Sequence, residues 1–570
     1  MSLVNNKGKI VSPEKQKFTR IITEMPDINI DGGTWESFKA DKISVHVCGH
    51  LLKGHRSIRG AEHLSELLFG EDNRSDLQGV DLKSLLAGIS GNFSIIVEGS
   101  GFFFAAVDIS RTCPVFYSGS SFNDLKFYDR LPMAAYISNG LNQKSVNEFF
   151  ELGFVTGDET VFEGIYQLRA GEYLYADQNT FKKERYFTYV PQEPAAEFTD
   201  HNSFAEQFDG LLTEAFSSMI GSFPANTQWV VPLSGGHDSR LVVNYLKESG
   251  ADDVICFSYG TPGNEQSAIS KQVADSLGYE WIFIEYSDEK WKELHDEGVI
   301  DRYVDYSFNG VSNPHYQDLL AVYELKKLNL ITKKAVFVPG HTSISEAGFM
   351  KPDTKDPIAL LIKNSKGTGG SDLPTKLYEK ISELYQTLGN QPHLLSENFD
   401  WQENQAKYIN NSLRVYQFFG YESAIPLWYK NVADFWLKLP YELSVNRNGL
   451  YIAEQNGVLI DSLLHLPFAK AKRKKRLNLK EIVKRLIPRK LMNIVLSKSS
   501  HKHTHAESLN DVFALKGETI GDVLQPAGLF PEEHYNLIQH FIDRRPYQIS
   551  VYQLSKYYTL RKLFEQKKIR

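Results

Sequence analysis

The segment at 230–240, VVPLSGGHDSR, holds the residues of this 570-residue chain whose types and spacing best suit chemistry. Gly235 and Gly236 let the backbone pass close to a ligand, in conformations that other residues resist. Ser234 and Ser239 add hydroxyl groups to the same segment. If a helix follows the glycines, the amides of its first turn point outward with the positive end of the helix dipole. Such a loop is typical of a phosphate-binding site.

Asp238 in the same segment predicts a bound cation. A carboxylate beside phosphate groups repels them unless a divalent cation lies between. Because Mg²⁺ prefers one or two carboxylates together with phosphate oxygens, we expect it at Asp238. The alternative interpretation is an ordinary strand–turn–helix connection with an Asp or Ser cap. The Walker pattern G-x-x-x-x-G-K-[ST], a different phosphate-binding loop, does not occur in the sequence.

Strands and helices that alternate along the chain must position this segment. The apolar patterns predict a helix over 203–220, strands over 228–233, 253–258, 280–286 and 335–338, and helices over 241–249 and 266–277. This alternation predicts an α/β fold with a doubly wound parallel sheet that is covered on both faces. Such sheets bind ligands at the carboxyl ends of their strands, which is where the segment falls.

The chain before this region is predicted to form a separate β-rich domain at 1–190. Its predicted strands are 43–47, 93–97, 102–107 and 115–117, and its clearest helix is 145–152. The polar stretch at 191–202, PQEPAAEFTDHN, is predicted to be a linker to a second domain at 203–570. In that domain 351–398 is predicted to be an insertion, whose segment KGTGGSDLP at 366–374 disfavours regular structure. After residue 400 the pattern is mainly helical.

Composition excludes several classes of protein. The net charge of −7 argues against bulk binding of nucleic acid. Cys48, Cys113 and Cys256 are scattered and odd in number, which predicts no disulfide framework and favours a reducing cytoplasm. No apolar run reaches the about 18 residues that cross a bilayer, and the first 20 residues lack an apolar signal core. We therefore expect a cytoplasmic protein.

The SGGHDS sequence at 234–239 resembles the pyrophosphate loop of the N-type ATP pyrophosphatases. Three later segments resemble motifs of the asparagine synthetase family, in the same order along the chain. They are FSYG at 257–260 with Glu265 and Gly278 after it, YESAIPLW at 421–428, which is similar to E-x-x-x-P-[FL], and Leu466-Pro467 with Arg473 and Lys475, which is similar to L-P…R-x-K. The resemblance implies an ATP pyrophosphatase domain with a helical C-terminal part.

The N-terminal domain resembles the class II glutamine amidotransferases, which are Ntn-hydrolase-like α+β sandwiches. The similarity rests on GNF at 91–93 and TVFEGI at 160–165, with Asp108, Arg111, Pro114 and Tyr117 between them and Gly171-Glu172 after them. The nucleophilic cysteine of that family follows the initiator methionine, where this chain has Ser2. The family's N-G-E segment corresponds to CGH at 48–50. A serine hydroxyl is a weaker nucleophile than a thiolate, so we expect no glutaminase activity.

The resemblance implies roles for particular residues in binding ATP. Ser234, Gly235, Gly236, Asp238 and Ser239 would hold the pyrophosphate, with Mg²⁺ on Asp238. The residues that would border the nucleoside are Leu233, Phe257, Tyr259 and Gly340. Core positions on a strand are the alternative for Phe257 and Tyr259.

Three further residues are implied to take part in the reaction. Arg473 and Lys475 would neutralise charge on the departing phosphates, and Glu422 would act as general base or orient the amine. The alternatives are a surface glutamate for Glu422 and a solvated basic run, KAKRKKR at 470–476, for Lys475.

Two positions depart from the family pattern. In the PGHTSISE segment at 339–346, Ile344 stands where relatives carry an aspartate that is a second Mg²⁺ ligand. Glu346 would replace it if the loop is shifted by two residues. Tyr429 replaces the aspartate that follows the E-x-x-x-P segment. The metal could then depend on Asp238, phosphate oxygens and water, and the departures favour slower chemistry.

The expected function is that of an ATP-dependent, AMP-forming amide synthetase, which adenylates a carboxylate and transfers ammonia or an amine to it. Residues 399–428 resemble asparagine-synthetase-like proteins of bacterial surface polysaccharides, which implies a uronic acid in a glycan or small molecule as the carboxylate partner. Two alternatives stay open. One is an intramolecular cyclase similar to β-lactam synthetase or the lasso-peptide cyclases. The other is a degenerate homologue that binds a nucleotide or a partner without turnover.

Two basic or histidine-rich stretches have weaker interpretations. The segment at 470–490 continues into a helical apolar pattern, which suits a peripheral contact with a membrane or a lipid-linked sugar. Packing of its apolar stripe into the protein is the favoured alternative. His501, His503 and His505 alternate as metal ligands do on a strand, but their polar neighbours favour an exposed loop.

Overall fold

Apolar alternation in the first third of the chain produces ten strands. In the computed structural model, the described residues are 35–40, 43–54, 56–70, 76–133, 137–192, 201–345, 350–351, 353–364, 375–469 and 551–569. The strands in this part are β1 (Trp35–Ala40), β2 (Ile43–Lys53), β3 (Arg56–Ile58), β4 (Ile89–Glu98), β5 (Phe102–Val107), β6 (Phe116–Ser118), β7 (Lys126–Tyr128), β8 (Ile165–Gln167), β9 (Glu172–Asp177) and β10 (Phe181–Arg185).

These strands form two antiparallel sheets. The larger has the order β1-β2-β4-β5-β9-β10, with β3 also paired to β2, and the smaller has the order β7-β6-β8. Strand β5 is buried along its whole length because both faces of the larger sheet are covered. The first helices of the chain lie in this part, at Gly60–Ser65, Leu82–Ala87 and Gln143–Leu152. This part of the chain is thus an α+β arrangement, as the sequence predicts.

The chain after residue 201 builds a parallel sheet, which confirms the predicted α/β class. Its strands are β11 (Trp229–Pro232), β12 (Val254–Gly260), β13 (Glu280–Glu285), β14 (Val336–Phe337) and β15 (Glu422–Ser423). The order is β13-β12-β11-β14-β15, and every neighbouring pair is parallel. The chain runs from β11 outward to β13 and then returns to the other side of β11. Strand β11 therefore lies at the point where the strand order reverses, the usual place for a ligand.

Helices accompany this sheet and form most of the described residues beyond it. The helices between the strands are His201–Gly221, His237–Glu248, Glu265–Leu277, Asp288–Asp296, Val299–Phe308, Leu319–Lys327, Pro357–Asn364, Thr375–Thr387, Pro392–Phe399 and Leu413–Phe418. Wider, π-helical turns at Asp400–Ile409 continue the helix that ends at Phe399. After β15 the helices are Lys430–Leu437, Tyr441–Ser444, Asn448–Ala453, Asp461–Leu464 and Val551–Ile569. Within the described ranges, no helix combines the length and the apolarity needed to cross a membrane.

The predicted insertion contains three helices that share a small core of their own. Leu361, Leu377 and Leu395 come from these helices and pack together with Leu152 and Phe154 of the antiparallel part. The Gly-rich segment at 366–374 lies outside the described residues, as do most of the predicted linker and the basic and histidine-rich stretches after residue 469.

One apolar core runs through both sheets. It includes Val47 and Ile95 of the antiparallel sheet together with Val230 and Val231 of β11. Polar contacts cross the same boundary, since Trp401 donates its indole N–H to the Ile109 carbonyl over 2.7 Å. The two parts of the chain are thus packed against each other. The predicted domain boundary at 190–203 stays a prediction.

The expectation that the cysteines do not pair is wrong. Cys48 on β2 and Cys113 after β5 form a disulfide, with their Cα atoms 6.6 Å apart. The two residues are separated by 65 positions, and folding of the sheet brings them together. Cys256 is free and buried on β12, where burial raises the pKa of its thiol above the usual range.

Candidate functional site

The predicted phosphate loop follows the central strand of the parallel sheet. Strand β11 ends at Pro232, and the next helix begins at His237 rather than at the predicted residue 241. Asp238 and Ser239 therefore lie in the first turn of the helix. The amide groups of such a turn have no acceptors within the helix, so they are free to face a ligand.

The two serine hydroxyls hold the loop in shape. Ser239 Oγ accepts a hydrogen bond from the Ser234 amide over 3.1 Å, and the two hydroxyl oxygens are 2.9 Å apart. Ser234 Oγ in turn accepts from the Gly236 amide over 3.1 Å. Because these bonds close the loop on itself, its conformation exists before a ligand binds.

Close approach of the backbone explains two of the glycines. A Cβ atom on Gly340 would lie 2.8 Å from the Ser239 amide nitrogen and 3.1 Å from the Asp238 carbonyl carbon. A Cβ atom on Gly235 would lie 2.8 Å from the Ala469 Cβ, and the Gly235 carbonyl accepts from the Ala469 amide over 2.9 Å. Gly340 thus packs against the first turn of the helix, whereas Gly235 packs against the segment that follows Leu466-Pro467.

That segment is tied to the helix after the loop by Arg240. The Arg240 guanidinium is fully buried and donates to the Leu466 and Pro467 carbonyls. It also lies 3.6 Å from the ring centroid of Phe468, and that ring stacks on His237 at 3.9 Å. The resemblance to the L-P motif therefore corresponds to a physical contact, which the sequence did not assign to Arg240.

Arg447 is a residue of the loop's surroundings that the sequence analysis missed. Its guanidinium forms a two-pronged ion pair with Asp238, in which Nη1 donates to Oδ2 over 3.1 Å and Nη2 donates to Oδ1. The Arg447 side chain is 12 % exposed and the Asp238 side chain 26 %. Arg447 also has a φ of 60°, in the left-handed region, and its neighbour Asn446 has a φ of 52°. Strained backbone of this kind concentrates at functional sites.

This ion pair bears on the predicted magnesium site. Asp238 is the described carboxylate of the loop, and it already faces a cation in Arg447. Ile344, in place of the family's aspartate, is 1 % exposed and offers no ligand atom. Among the described residues, no group of three or more His, Cys, Asp or Glu side chains is placed to hold a metal ion. Glu346 lies outside the described residues, so the described donor set does not fit Mg²⁺.

A cavity of about 720 Å³ opens beside the loop at the carboxyl end of β11. Its volume is within the range of pockets that bind small molecules and cofactors. The predicted site residues that line it are Ser234, Gly236, Asp238, Ser239, Tyr259 and Gly340. Arg447 lines it as well, so the ion pair with Asp238 forms part of the cavity wall.

Three predicted nucleotide contacts are not among the cavity residues. Leu233 is 2 % exposed, and its amide donates to the Phe257 carbonyl within the sheet. Phe257 is fully buried and packs edge-on against Phe337. Gly235 faces Ala469, as described above. Phe257 thus occupies a core position, which was the alternative prediction. Side chains alternate between the two faces of a strand, and that of Phe257 packs within the core rather than in the cavity.

Glu422 also lies away from the cavity. It is the first residue of β15 and is paired in register with Val336 of β14. Val336 is in turn paired with Trp229, the first residue of β11. This register puts Glu422 at the amino end of the sheet, roughly 15 Å of extended chain from Ser234. The side chain is exposed, which corresponds to the surface alternative. Arg473 and Lys475 lie outside the described residues.

Two polar groups of the cavity are firmly held. Asp318 accepts from the Tyr259 hydroxyl over 2.6 Å and from the Tyr416 hydroxyl over 2.5 Å. His341 Nε2 is 2.8 Å from Ser412 Oγ. Burial lowers the pKa of His341 to about 4, so its imidazole is neutral at pH 7. Asp318 and the neutral His341 therefore orient neighbouring side chains and supply no positive charge to the cavity.

The far wall of the cavity comes from the helix at Pro392–Phe399 and the turns that continue it. Glu397 and Asp400 line the cavity from adjacent turns of this helical segment. Asp400 accepts from the Asn404 amide group over 2.8 Å and from the Gln405 amide group over 3.1 Å. Burial, and then the charge of Asp400, raise the pKa of Glu397 to about 7. Glu397 lies in the predicted insertion at 351–398 and Asp400 just after it, and neither carboxylate was among the predicted site residues.

The antiparallel part of the molecule contributes to the same cavity. Tyr189 lines it, stacks beside Trp401 with ring centroids 6.3 Å apart, and donates its hydroxyl to the Ser343 carbonyl over 2.6 Å. Ser343 belongs to the segment that follows β14 and Gly340. The cavity is therefore shaped by residues from both sheets.

Two departures from the family pattern meet at the boundary between the sheets. His50 Nε2 lies 2.5 Å from the Tyr429 hydroxyl oxygen, and both side chains are buried. Burial lowers the pKa of His50 to about 4, which keeps the ring neutral. Tyr429 thus serves as an internal hydrogen-bond partner and does not line the cavity beside the loop.

Comparison with known proteins gives one family match. Residues 222–311 match the model of the asparagine synthase family, which covers the loop and strands β11 to β13. No curated protein matches the chain. The family match supports a ligase-type enzyme that uses ATP.

Solved structures also match parts of the chain, at low similarity. Glutamine phosphoribosylpyrophosphate amidotransferase from Bacillus subtilis, complexed with ADP and GMP, is 11 % identical over 45 % of this chain and 73 % of its own, with a TM-score of 0.19. NMN synthetase from Francisella tularensis is 13 % identical over 35 % and 94 %, with a TM-score of 0.20. The NH3-dependent NAD synthetase from Campylobacter jejuni is 15 % identical over 34 % and 86 %, with a TM-score of 0.18. The similarity of the chain to the asparagine synthase family is shown over residues 222–311.

Proposed function

We propose that this chain is an ATP-dependent ligase that activates a carboxylate as an acyl-adenylate and couples it to ammonia or an amine. The observation that carries the proposal is the S-G-G-x-D-S loop at the reversal point of the parallel sheet, which opens into the 720 Å³ cavity. The family match over 222–311 supports the same activity.

The reaction proceeds in two balanced steps. A carboxylate oxygen of the acceptor attacks the α-phosphorus of ATP, the bond to the bridging oxygen breaks, and pyrophosphate leaves. The amine nitrogen then attacks the acyl carbon, AMP leaves, and the nitrogen loses a proton. Negative charge develops on the departing pyrophosphate, so the first-turn amides, the hydroxyls of Ser234 and Ser239, and the Arg447 guanidinium would stabilise it.

Several finer elements of this function stay predictions. Magnesium would need a ligand beyond Asp238, and Glu346, Arg473 and Lys475 lie outside the described residues. The uronic acid acceptor, the cytoplasmic location and the membrane contact through 470–490 rest on the sequence. Because Glu422 lies at the amino end of the sheet, the general base of the amine step would come from the cavity wall instead.

The test follows pyrophosphate and AMP. The full-length protein is incubated with ATP and a panel of carboxylic acids and amines, and one acid is labelled with ¹⁸O in its carboxylate. Adenylation transfers one ¹⁸O atom to AMP, which mass spectrometry detects. We expect Asp238→Ala to abolish pyrophosphate release. The control is Asp275→Ala, since Asp275 is also an ion-paired helical aspartate but is 56 % exposed. Release of unlabelled AMP, or of phosphate and ADP, would contradict the proposal.

A second candidate is a nucleotide-binding protein without turnover. It is favoured by the buried Ile344 in place of a metal ligand and by the neutralisation of Asp238 by Arg447. Calorimetry with ATP separates the two candidates. Binding of ATP with no pyrophosphate from any acid would support the second candidate over the first.

A further inference from the structure

Glu397 differs from the other carboxylates that line the cavity. Asp238 pairs with Arg447, Asp318 accepts from two tyrosine hydroxyls, and Asp400 accepts from two side-chain amides. Glu397 is 8 % exposed, yet it makes no hydrogen bond or ion pair with any described residue. Its side chain lines the cavity, so a cationic group that binds there would meet a carboxylate that no described residue neutralises.

The charge of the cavity wall indicates the sign of that partner. The described lining residues include four carboxylates and one permanent cation, Arg447, which is already engaged by Asp238. The wall at Glu397 and Asp400 lies on a different element from the phosphate loop. An anion would be repelled there, whereas a cation would neutralise two carboxylates at once.

The lining also indicates an organic cation rather than a metal ion. Mg²⁺ and Ca²⁺ take six or more ligands, mostly oxygen atoms, and no group of three or more His, Cys, Asp or Glu side chains that could hold a metal ion occurs among the described residues. The same cavity is lined by Phe154, Leu361 and Phe399, which pack together in one apolar cluster. Apolar side chains beside carboxylates suit an ammonium group carried on a hydrocarbon chain.

We propose that Glu397, with Asp400 one helical turn away, binds the protonated amino group of a primary alkylamine, which is the nitrogen-containing substrate of the reaction. Because an ammonium group has no lone pair, one of its protons passes to the Glu397 carboxylate before the nitrogen attacks the acyl carbon. The inference rests on the proposed function only for the amine's role in the reaction and not for its binding. The far wall of the cavity would thus bind an alkylamine rather than free ammonia or a second carboxylate. The apolar cluster of Phe154, Leu361 and Phe399 would contact its hydrocarbon chain.

Titration of the full-length protein with n-butylammonium chloride tests the proposal without ATP, with sodium butyrate as the anion of similar shape. Calorimetry at pH 8 should detect n-butylammonium and not butyrate. Glu397→Gln, which keeps the side-chain volume, should weaken n-butylammonium binding about ten- to a hundredfold, the usual effect of losing one hydrogen bond to a charged group. Glu383→Gln, on an exposed face of a neighbouring helix, should leave binding unchanged.

The outcomes separate this inference from the proposed function. Binding of n-butylammonium that is equal in wild type and Glu397→Gln, or preferential binding of butyrate at this wall, would overturn the inference. If Glu397→Gln does not fold, Asp400→Asn takes its place with the same expected direction. Loss of n-butylammonium binding in these variants, with no pyrophosphate released from any acid, would support the binding site and overturn the ligase. Pyrophosphate release with no n-butylammonium binding would do the reverse.

Discussion

Replacing Arg447 tests whether this residue neutralises the phosphate loop. In the structure its guanidinium is the cation beside Asp238, and both side chains are largely buried, at 12 % and 26 % exposed. Arg447→Met keeps most of the aliphatic stem but removes the charge, so Asp238 faces the bound phosphates without a partner. Loss of one hydrogen bond between charged groups costs about 1.5–3 kcal/mol, which is about a ten- to hundredfold weaker ATP affinity.

The assay is a titration with ATP in the presence of a chelator that removes divalent cations. We expect Arg447→Lys to bind with intermediate affinity, because lysine keeps the charge but loses the two-pronged geometry. In Asp238→Asn the phosphates are no longer repelled by the carboxylate and the guanidinium is released, so ATP affinity should be retained or increased. Arg447→Met with unchanged or tighter ATP binding would refute the reasoning, since Arg447 would then only block the loop.

Three further predictions concern stability and packing. Because the pKa of Glu397 is raised from 4.5 to about 7, ionisation of its carboxylate destabilises the fold as the pH rises through this range. Glu397→Gln should therefore have the same melting temperature as wild type near pH 4.5. At pH 8 its free energy of unfolding should be higher than that of wild type, by at most about 3 kcal/mol. A lower melting temperature at pH 8 would contradict this. Gly340→Ala should abolish ATP binding because its Cβ would press on the Ser239 amide, whereas Gly210→Ala, with open space around it, should bind ATP normally and melt slightly higher. Thiol titration of the unreduced, denatured chain should find one free thiol of three, and three after dithiothreitol; three at the start would contradict the Cys48–Cys113 pairing.

The elements that depend on local pattern could be predicted from the sequence. Strands β11 to β14 of the parallel sheet fall close to the predicted bounds, because apolar runs alternate with amphipathic helices there, whereas the two-residue strand β15 was not predicted. The loop between β11 and its helix was found because its glycines, serines and aspartate are consecutive. Six of the predicted site residues line the cavity. These include Tyr259 near the end of β12 and Gly340 after the end of β14.

The rest of the site depends on contacts between distant parts of the chain. Arg447 is 209 positions from Asp238, and no local pattern connects an arginine in a short turn with a loop aspartate. Glu397 lies in a region that local composition assigns to an insertion. The position of Glu422 at the amino end of the sheet could not be predicted, because the register of a two-residue strand cannot be inferred from its sequence. The same limit applies to the pairing of Cys48 with Cys113.

The antiparallel part of the molecule supports the cavity through packing. Its apolar residues belong to the same core as β11, and Tyr189 reaches from it into the cavity wall. Deletion of the residues before 201 would uncover the parallel sheet and expose apolar side chains to water. The antiparallel part is thus a scaffold for the parallel sheet and for the cavity, whichever reaction that cavity supports.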